Sequence, residues 1–248
     1  MFSNRYIFIY STVMVVVVAV LLALAATLLQ PFQDKNIRVE RMRYILTSIN
    51  VENTAANAED LYSKYIVEEL VVNTAGEITG RYKNGKLEQG SRRAFDIDLR
   101  TEMKKQKTGG ILELPLFIAV SGNDTMTVFP LTGKGLWGSI WGYISLKSDY
   151  NTVAGSVFDH KGETPGLGAE IATVAFQKQF VGKQIFDESG NFVSIKVVKG
   201  GVKGSKTPEI HGVDAISGGT ITSNGTSAMI ESSLNLYIPF IKKNMSHE

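Results

Sequence analysis

The 248-residue sequence contains no cysteine. That absence excludes disulfides, thiolate-ligated iron–sulfur clusters and the Cys-x-x-Cys-His attachment of haem c. Histidine is almost as scarce: His160, His211 and His247 are the whole supply, and none stands four residues from another. A histidine-based metal site is therefore not expected. The net charge of +2 with 20% charged residues gives no basic surface for nucleic acid. There is no internal repeat, no low-complexity tract and no Gly-x-Gly-x-x-Gly dinucleotide fingerprint. Any redox role must use an organic cofactor or a metal held without thiolates.

Charge is also missing locally. From Tyr6 to Leu29 there is no Asp, Glu, Lys or Arg, and Val13, Val15–Val18, Leu21, Leu22, Leu24, Leu28 and Leu29 dominate. These roughly 24 residues reach ~36 Å as a helix, enough to cross a hydrocarbon core of about 30 Å. Tyr6 and Tyr10 suit an interfacial aromatic belt. The run exceeds the roughly 7–15 apolar residues of a secretory leader, which favours an uncleaved anchor over residues 1–34. Arg5 lies on the short side and Lys35, Arg38, Arg41 and Arg43 on the long side, so the positive-inside rule favours a cytoplasmic domain. That rule weakens when a long domain follows, and composition leaves the side open.

The remainder, residues 35–248, reads as one α+β domain with an antiparallel sheet and flanking helices. Val39, Met42, Ile45, Leu46 and Ile49 predict a helix over 37–49, and Leu61, Tyr65 and Ile66 a second over 58–69. Strands are expected at 71–72, 78–82, 111–120, 126–129, 140–146, 184–186 and 195–198. Asn84-Gly85 signals a hairpin, Ser121-Gly122-Asn123-Asp124 and 187–191 are turns, and 96–107 is a charged surface helix. A final helix is expected over 226–243, capped by Ser223 or Asn224 and kinked or ended by Pro239.

Three motifs stand out. Gly133-Lys134-Gly135-Leu136-Trp137-Gly138 combines close-approach glycines with a tryptophan, and an early strand start would put Trp137 and Trp141 on one face. The default for both tryptophans is core packing. Glu163-Thr164-Pro165-Gly166-Leu167-Gly168 cannot be regular helix or interior strand. Pro165 forces Thr164 extended and the glycines allow a reversal that displays Leu167, with backbone amides free for a planar ligand. The third motif is Asp214-Ala215-Ile216-Ser217-Gly218-Gly219-Thr220, followed by Ile221-Thr222-Ser223. Gly218 and Gly219 remove bulk beside the Thr220 hydroxyl, so another enzyme can approach it closely, and the small hydroxyl residue Ser217 flanks them. Taken alone, the same run is also an ordinary turn before a helix.

The third motif resembles the flavinylation sequence Asp-x-x-Ser/Thr-Gly-Ala-Thr, matched at Asp214, Ser217, Gly218 and Thr220, with Gly219 where alanine is usual. In their order the three motifs resemble the FMN-binding domains of respiratory complexes. Among these the chain is similar to the C-subunit family of bacterial sodium-translocating NADH:quinone oxidoreductases. The G subunit of the related Rnf complex shares two of the motifs and is the close competitor. A cofactor-free anchored binding or assembly module is the alternative from another class.

The resemblance implies that Thr220 carries FMN as a phosphoester, placed there by a flavin transferase that takes the FMN moiety from FAD with magnesium present. Thr222 is the alternative acceptor by spacing alone. Asp214 is not assigned as a base. Ring contacts are expected from Leu167, the backbone of Gly166 and Gly168, Thr164 and Trp137. The resemblance also implies a single-pass protein of the cell inner membrane with its domain in the periplasm. There it would relay electrons among the other subunits from NADH to quinone, and it would be inert as a dehydrogenase alone.

Overall fold

The computed structural model describes residues 3–106 and 109–245. Lys107, at the end of the expected surface helix, and His247 lie outside the described residues. The chain divides into two compact units, Met1–Arg41 and Met42–Glu248.

The first unit is helical. Helix α1 runs Asn4–Ser48, so the apolar segment and the helix expected after it are one element. Within it is a stretch long and apolar enough to cross a membrane, none of it buried in the protein. Pro31 lies inside α1 and removes one i→i−4 hydrogen bond without ending the helix.

The second unit is built on a seven-stranded antiparallel sheet in the order β3-β2-β1-β4-β5-β6-β7. Helix α2 (Ala58–Tyr65) leads into β1 (Ile66–Val72), then β2 (Ile78–Lys83) and β3 (Lys86–Gln89). Asn84 and Gly85 both have positive φ, 48° and 76°, as a two-residue hairpin turn requires. Helix α2 is shorter than the periodicity predicts. Ile66 and Val67 belong to β1, where β-branched side chains pack well on the pleat and β1 pairs on both edges. Helix α3 (Leu99–Gln106) precedes β4 (Leu114–Ser121), β5 (Asp124–Lys134) and β6 (Ser139–Lys147).

Strand β7 (Val153–His160) carries no alternation strong enough to announce it, because Ala154, Gly155 and Ser156 are poor strand formers. It forms through nonlocal contact. A β-carbon on Gly155 would stand 2.4 Å from the Ser48 carbonyl oxygen, so glycine lets the end of α1 lie on this strand.

Strand β5 is buried continuously from Met126 to Thr132, as expected for a strand covered on both faces. One face carries Phe129, Leu131, Ile140, Ile144 and Phe158, packed against Ile230, Leu234 and Tyr237. The opposite face includes Phe117 and Tyr143, edge-to-face with each other, and Phe117 also meets Tyr62 of α2 edge-to-face. There Ser145 donates 2.5 Å to the Ser48 carbonyl.

Short helix α4 (Val174–Lys178) follows a 3-10 turn at Gly168–Ala172. The expected strand at 195–198 exists as β8 (Lys196–Val198), but its partner β9 (Gly212–Asp214) runs parallel to it. Residues 184–186 form no strand. They make only isolated bridges, Thr152 with Gln184 and Phe186 with Phe192. The C-terminal helix is two helices, α5 (Thr220–Asn235) and α6 (Ile238–Met245). The break falls at Leu236-Tyr237, so Pro239 sits in the first turn of α6, where its missing N–H has no intrahelical partner to lose.

Candidate functional site

The loop after β5, the loop after β7 and the start of α5 meet at one place, although they lie far apart in sequence. Glycines bring α5 down onto β5. A β-carbon on Gly225 would lie 2.5 Å from the Lys134 carbonyl oxygen, and one on Gly133 would lie 2.6 Å from Met229 Cβ. One helical row further, the buried Ser233 hydroxyl accepts from the Thr132 N–H at 3.1 Å.

The centre of the junction is Glu163, only 4% exposed. Its Oε1 accepts from the Trp137 N–H at 2.8 Å, and its Oε2 accepts from the Thr222 hydroxyl at 2.5 Å. The Glu163 N–H donates 3.1 Å to His160 Nδ1. Burial pushes this carboxyl up, but the Thr222 hydroxyl and the amides of Trp137, Leu136 and Gly138 outweigh it. The net result holds Glu163 below the usual carboxylate range. The sequence displayed Glu163 as the first residue of a motif but offered nothing to mark it as buried or bonded to Thr222. A hydroxyl 59 positions away leaves no local trace.

Thr220 is the first residue of α5, with Gly219 as its N-cap. Helix α5 therefore begins six residues before the expected Thr226. Ser223 and Asn224 are not its caps. Ser223 lies in the first turn, where its Oγ accepts from the Ile216 N–H at 3.2 Å and ties the preceding loop to the helix. Thr220 is half-buried, and among the described residues its hydroxyl has no hydrogen-bond partner. Thr222, two residues on, is 2% exposed and bonded to Glu163. The unbonded N–H groups of the first turn of α5 and the helix dipole make its start favourable for an anion. Ser217 and Gly218 are exposed, and Gly219 is buried.

Leu167 is 41% exposed and leans on this turn: a β-carbon on Gly218 would stand 2.5 Å from its Cδ2. Gly166 has φ of 75°, which glycine alone adopts easily. Two of the loop amides, those of Gly166 and Leu167, are not free. Gly166 N–H donates to Glu170 Oε1 at 3.0 Å, and Leu167 N–H to the Thr164 carbonyl at 3.1 Å. Both complete the reversal itself, which leaves the Leu167 side chain and the exposed Thr164 side chain as the outward features. Gly168 is buried. A β-carbon there would meet Thr222 Oγ1 at 2.4 Å and Glu163 Oε2 at 2.6 Å.

Trp137 does not pack in the core. Strand β6 starts at Ser139, so Trp137 stays in the loop, 70% exposed, while Trp141 is half-buried in the strand. Leu136 and Ile221 are exposed beside Trp137 and Thr220 in sequence. Asp214 is engaged away from the acceptor motif: its Oδ1 accepts from Val202 N–H at 2.7 Å, and its own N–H donates to Gln179 Oε1 at 2.9 Å.

A half-buried hydroxyl at a helix start, small residues around it and exposed apolar side chains nearby suit a phosphate-bearing planar ring. Known proteins agree with that chemistry. The family of FMN-binding domains matches residues 135–235, which enclose all three converging segments. The C subunit of the Na(+)-translocating NADH-quinone reductase of Haemophilus ducreyi is 31% identical over 211 residues, 84% of this chain and 80% of that protein. Its counterpart in Vibrio vulnificus is 32% identical over 216 residues, 84% of this chain and 82% of that one. The crystal structure of the corresponding protein from Parabacteroides distasonis superposes with a TM-score of 0.73 at 39% identity, covering 86% of this chain and 96% of that one. The chain belongs to the C-subunit family of the Na(+)-translocating NADH-quinone reductases.

Proposed function

We propose that this chain is the anchored flavin carrier of a sodium-translocating NADH:quinone reductase, with FMN esterified through its phosphate to Thr220. The observation that carries this is the contrast between two threonines. Thr220 begins α5 with an unpartnered, half-buried hydroxyl, whereas Thr222 is buried and bonded to Glu163. Of the two acceptors that spacing allows, only Thr220 has an oxygen that another enzyme can reach.

The residues fit the group. The start of a 16-residue helix favours the phosphate, and Gly218 and Gly219 leave its approach open. Leu167, Thr164 and Trp137 stand exposed to meet a ring. Ser217 is exposed beside the acceptor and Gly168 supports the turn from below. In the attachment step the Thr220 oxygen bonds to the phosphorus of the FMN half of FAD. The bond to the AMP half breaks, AMP leaves with the bridging oxygen, and the hydroxyl proton passes to the transferase or to water. Positioning and charge neutralisation govern such a displacement, so this chain need supply no base. When bound, FMN supplies one- and two-electron transfer, and the protein tunes it through burial and hydrogen bonds.

The apolar part of α1 anchors the chain in the cell inner membrane, with residues 35–248 in the periplasm. A covalent link suits that side, where a dissociated flavin would be lost without replacement. Electrons would pass through this domain between other subunits on the way from NADH to quinone. The described residues include one candidate span, too few for an ion path within this chain.

Mass spectrometry of the chain from its native membranes tests this. The peptide containing Thr220 should gain the mass of one FMN less water, and Thr220→Ala should lose it. An unmodified peptide from native membranes would overturn the proposal and leave a cofactor-free anchored module.

A further inference from the structure

Glu163 is a buried acid that electron transfer does not require, and among the described residues it makes no ion pair. The groups on its carboxylate are hydrogen-bond donors: the Thr222 hydroxyl on Oε2, the Trp137 amide on Oε1, and the adjoining Leu136 and Gly138 amides. The enclosure around it is tight. A β-carbon on Gly135 would stand 2.5 Å from Oε1, and one on Gly168 would stand 2.6 Å from Oε2. Backbone without side chains at two separate loops is what lets a carboxylate sit here.

The carboxylate holds the first turn of α5 in one rotational setting. Successive residues of a helix are about 100° apart, so Thr220 and Thr222 project to nearly opposite sides, roughly 200° apart around the axis. A turn seated the other way round would present Thr222 and bury Thr220. The bond from Thr222 Oγ1 to Glu163 Oε2 holds the inward member, and the outward one follows from helix geometry. The other oxygen ties the same setting to the Leu136–Gly138 loop.

We propose that Glu163 is the positioning residue that selects the modified threonine, seating the first turn of α5 so that Thr220 alone presents its oxygen. This rests on the assignment of Thr220 as the flavin carrier. Glu163 makes no hydrogen bond to the Thr220 oxygen; it acts through Thr222.

The test is co-expression of the full chain with a flavin transferase, followed by peptide mass spectrometry that reports how much FMN is attached, how fast, and on which threonine. In Glu163→Ala, attachment at Thr220 should slow at least tenfold and part of the label should move to Thr222. Glu163→Gln keeps a carbonyl for the loop amides and an amide that donates to the Thr222 oxygen, so it should recover most of the rate and the Thr220 selectivity. Rescue by Gln, and the shift between threonines, are results that a general loss of stability would not produce. If Glu163→Ala does not fold, Thr222→Val decides, because it keeps the carboxylate and its loop contacts and removes only the hydroxyl. It should slow attachment several-fold while its thermal transition remains cooperative. Wild-type rate and selectivity in the folded variants would overturn the proposal. A wild-type chain left unmodified beside an active transferase would instead overturn the flavin assignment, and this inference with it.

Discussion

Leu167 and Gly218 come from different loops, and the leucine side chain occupies the space that any β-carbon at 218 would need, 2.5 Å from Cδ2. The exposed tip of one motif thus rests on the bare backbone of another, directly before the candidate acceptor.

Gly218→Ala and Gly219→Ala should behave differently, though they are neighbours. Gly218 has φ of 75°, so alanine there combines a left-handed backbone with a clash against Leu167. A loss of about 1–3 kcal/mol is expected from the backbone alone. Gly219 has an ordinary φ of −96°, and its added methyl would meet Ile216 Cγ2 at 3.0 Å and both Ile216 Cβ and the Leu167 carbonyl carbon at 3.2 Å, contacts that shifts of a few tenths of an ångström relieve. Chemical denaturation should show the first change as clearly destabilising and the second as the milder loss, with flavin attachment retained in Gly219→Ala.

Glu163 should impose an acid dependence on stability. Its folded-state pKa lies below the ordinary value, so its contribution is fully present above the unfolded pKa of about 4.3 and is lost as pH falls through the folded value. Thermal melts of wild type and Glu163→Gln should differ by a constant amount above about pH 5 and converge on acidification. Glu102, also held low, is present in both proteins and cancels in the comparison. An unchanged difference in strong acid would contradict the assignment.

Tyr237 is fully buried, with its ring edge-to-face on Phe129 at 5.0 Å and its hydroxyl donating 2.8 Å to the Pro115 carbonyl. Tyr237→Phe keeps the ring and removes the hydroxyl donor from that carbonyl, so a loss of about 0.5–1.5 kcal/mol is expected in equilibrium unfolding. No effect on flavin attachment should accompany it.

Trp137 should dominate collisional quenching of the tryptophan emission, being far more exposed than Trp141. Iodide quenching should fall in Trp137→Phe. It should also fall when FMN is attached to the wild type, if the ring covers this side chain as proposed. Equal quenching before and after attachment would remove Trp137 from the ring contacts.

The elements legible in the sequence were those with strong local patterns. The Asn84-Gly85 hairpin, β2, β4 and β6 all follow from turn residues and β-branched runs. Strand β7 was not legible, because Ala154, Gly155 and Ser156 suit close contact with Ser48 rather than strand propensity. The start of α5 was misplaced for a related reason. Thr220, Thr222, Ser223, Asn224 and Gly225 are weak helix formers and good caps, so propensity puts the boundary beyond them. Glu163 holds that turn from outside through Thr222, and glycine at 225 lets the helix lie close on the Lys134 carbonyl. Core packing is the default for Trp137 in sequence because strand pairing, which begins at Ser139, cannot be read from a run of glycines.

From the residues alone came the apolar span and the exclusion of thiol chemistry, since each depends on composition or a continuous run, while the two candidate threonines came from resemblance to a short motif. Which threonine faces outward could not come that way. It follows from whether an oxygen is buried and what it bonds, and for Thr222 that partner is 59 positions distant. Solvent access and long-range hydrogen bonds exist only once β7, α5 and the loops between them are packed together.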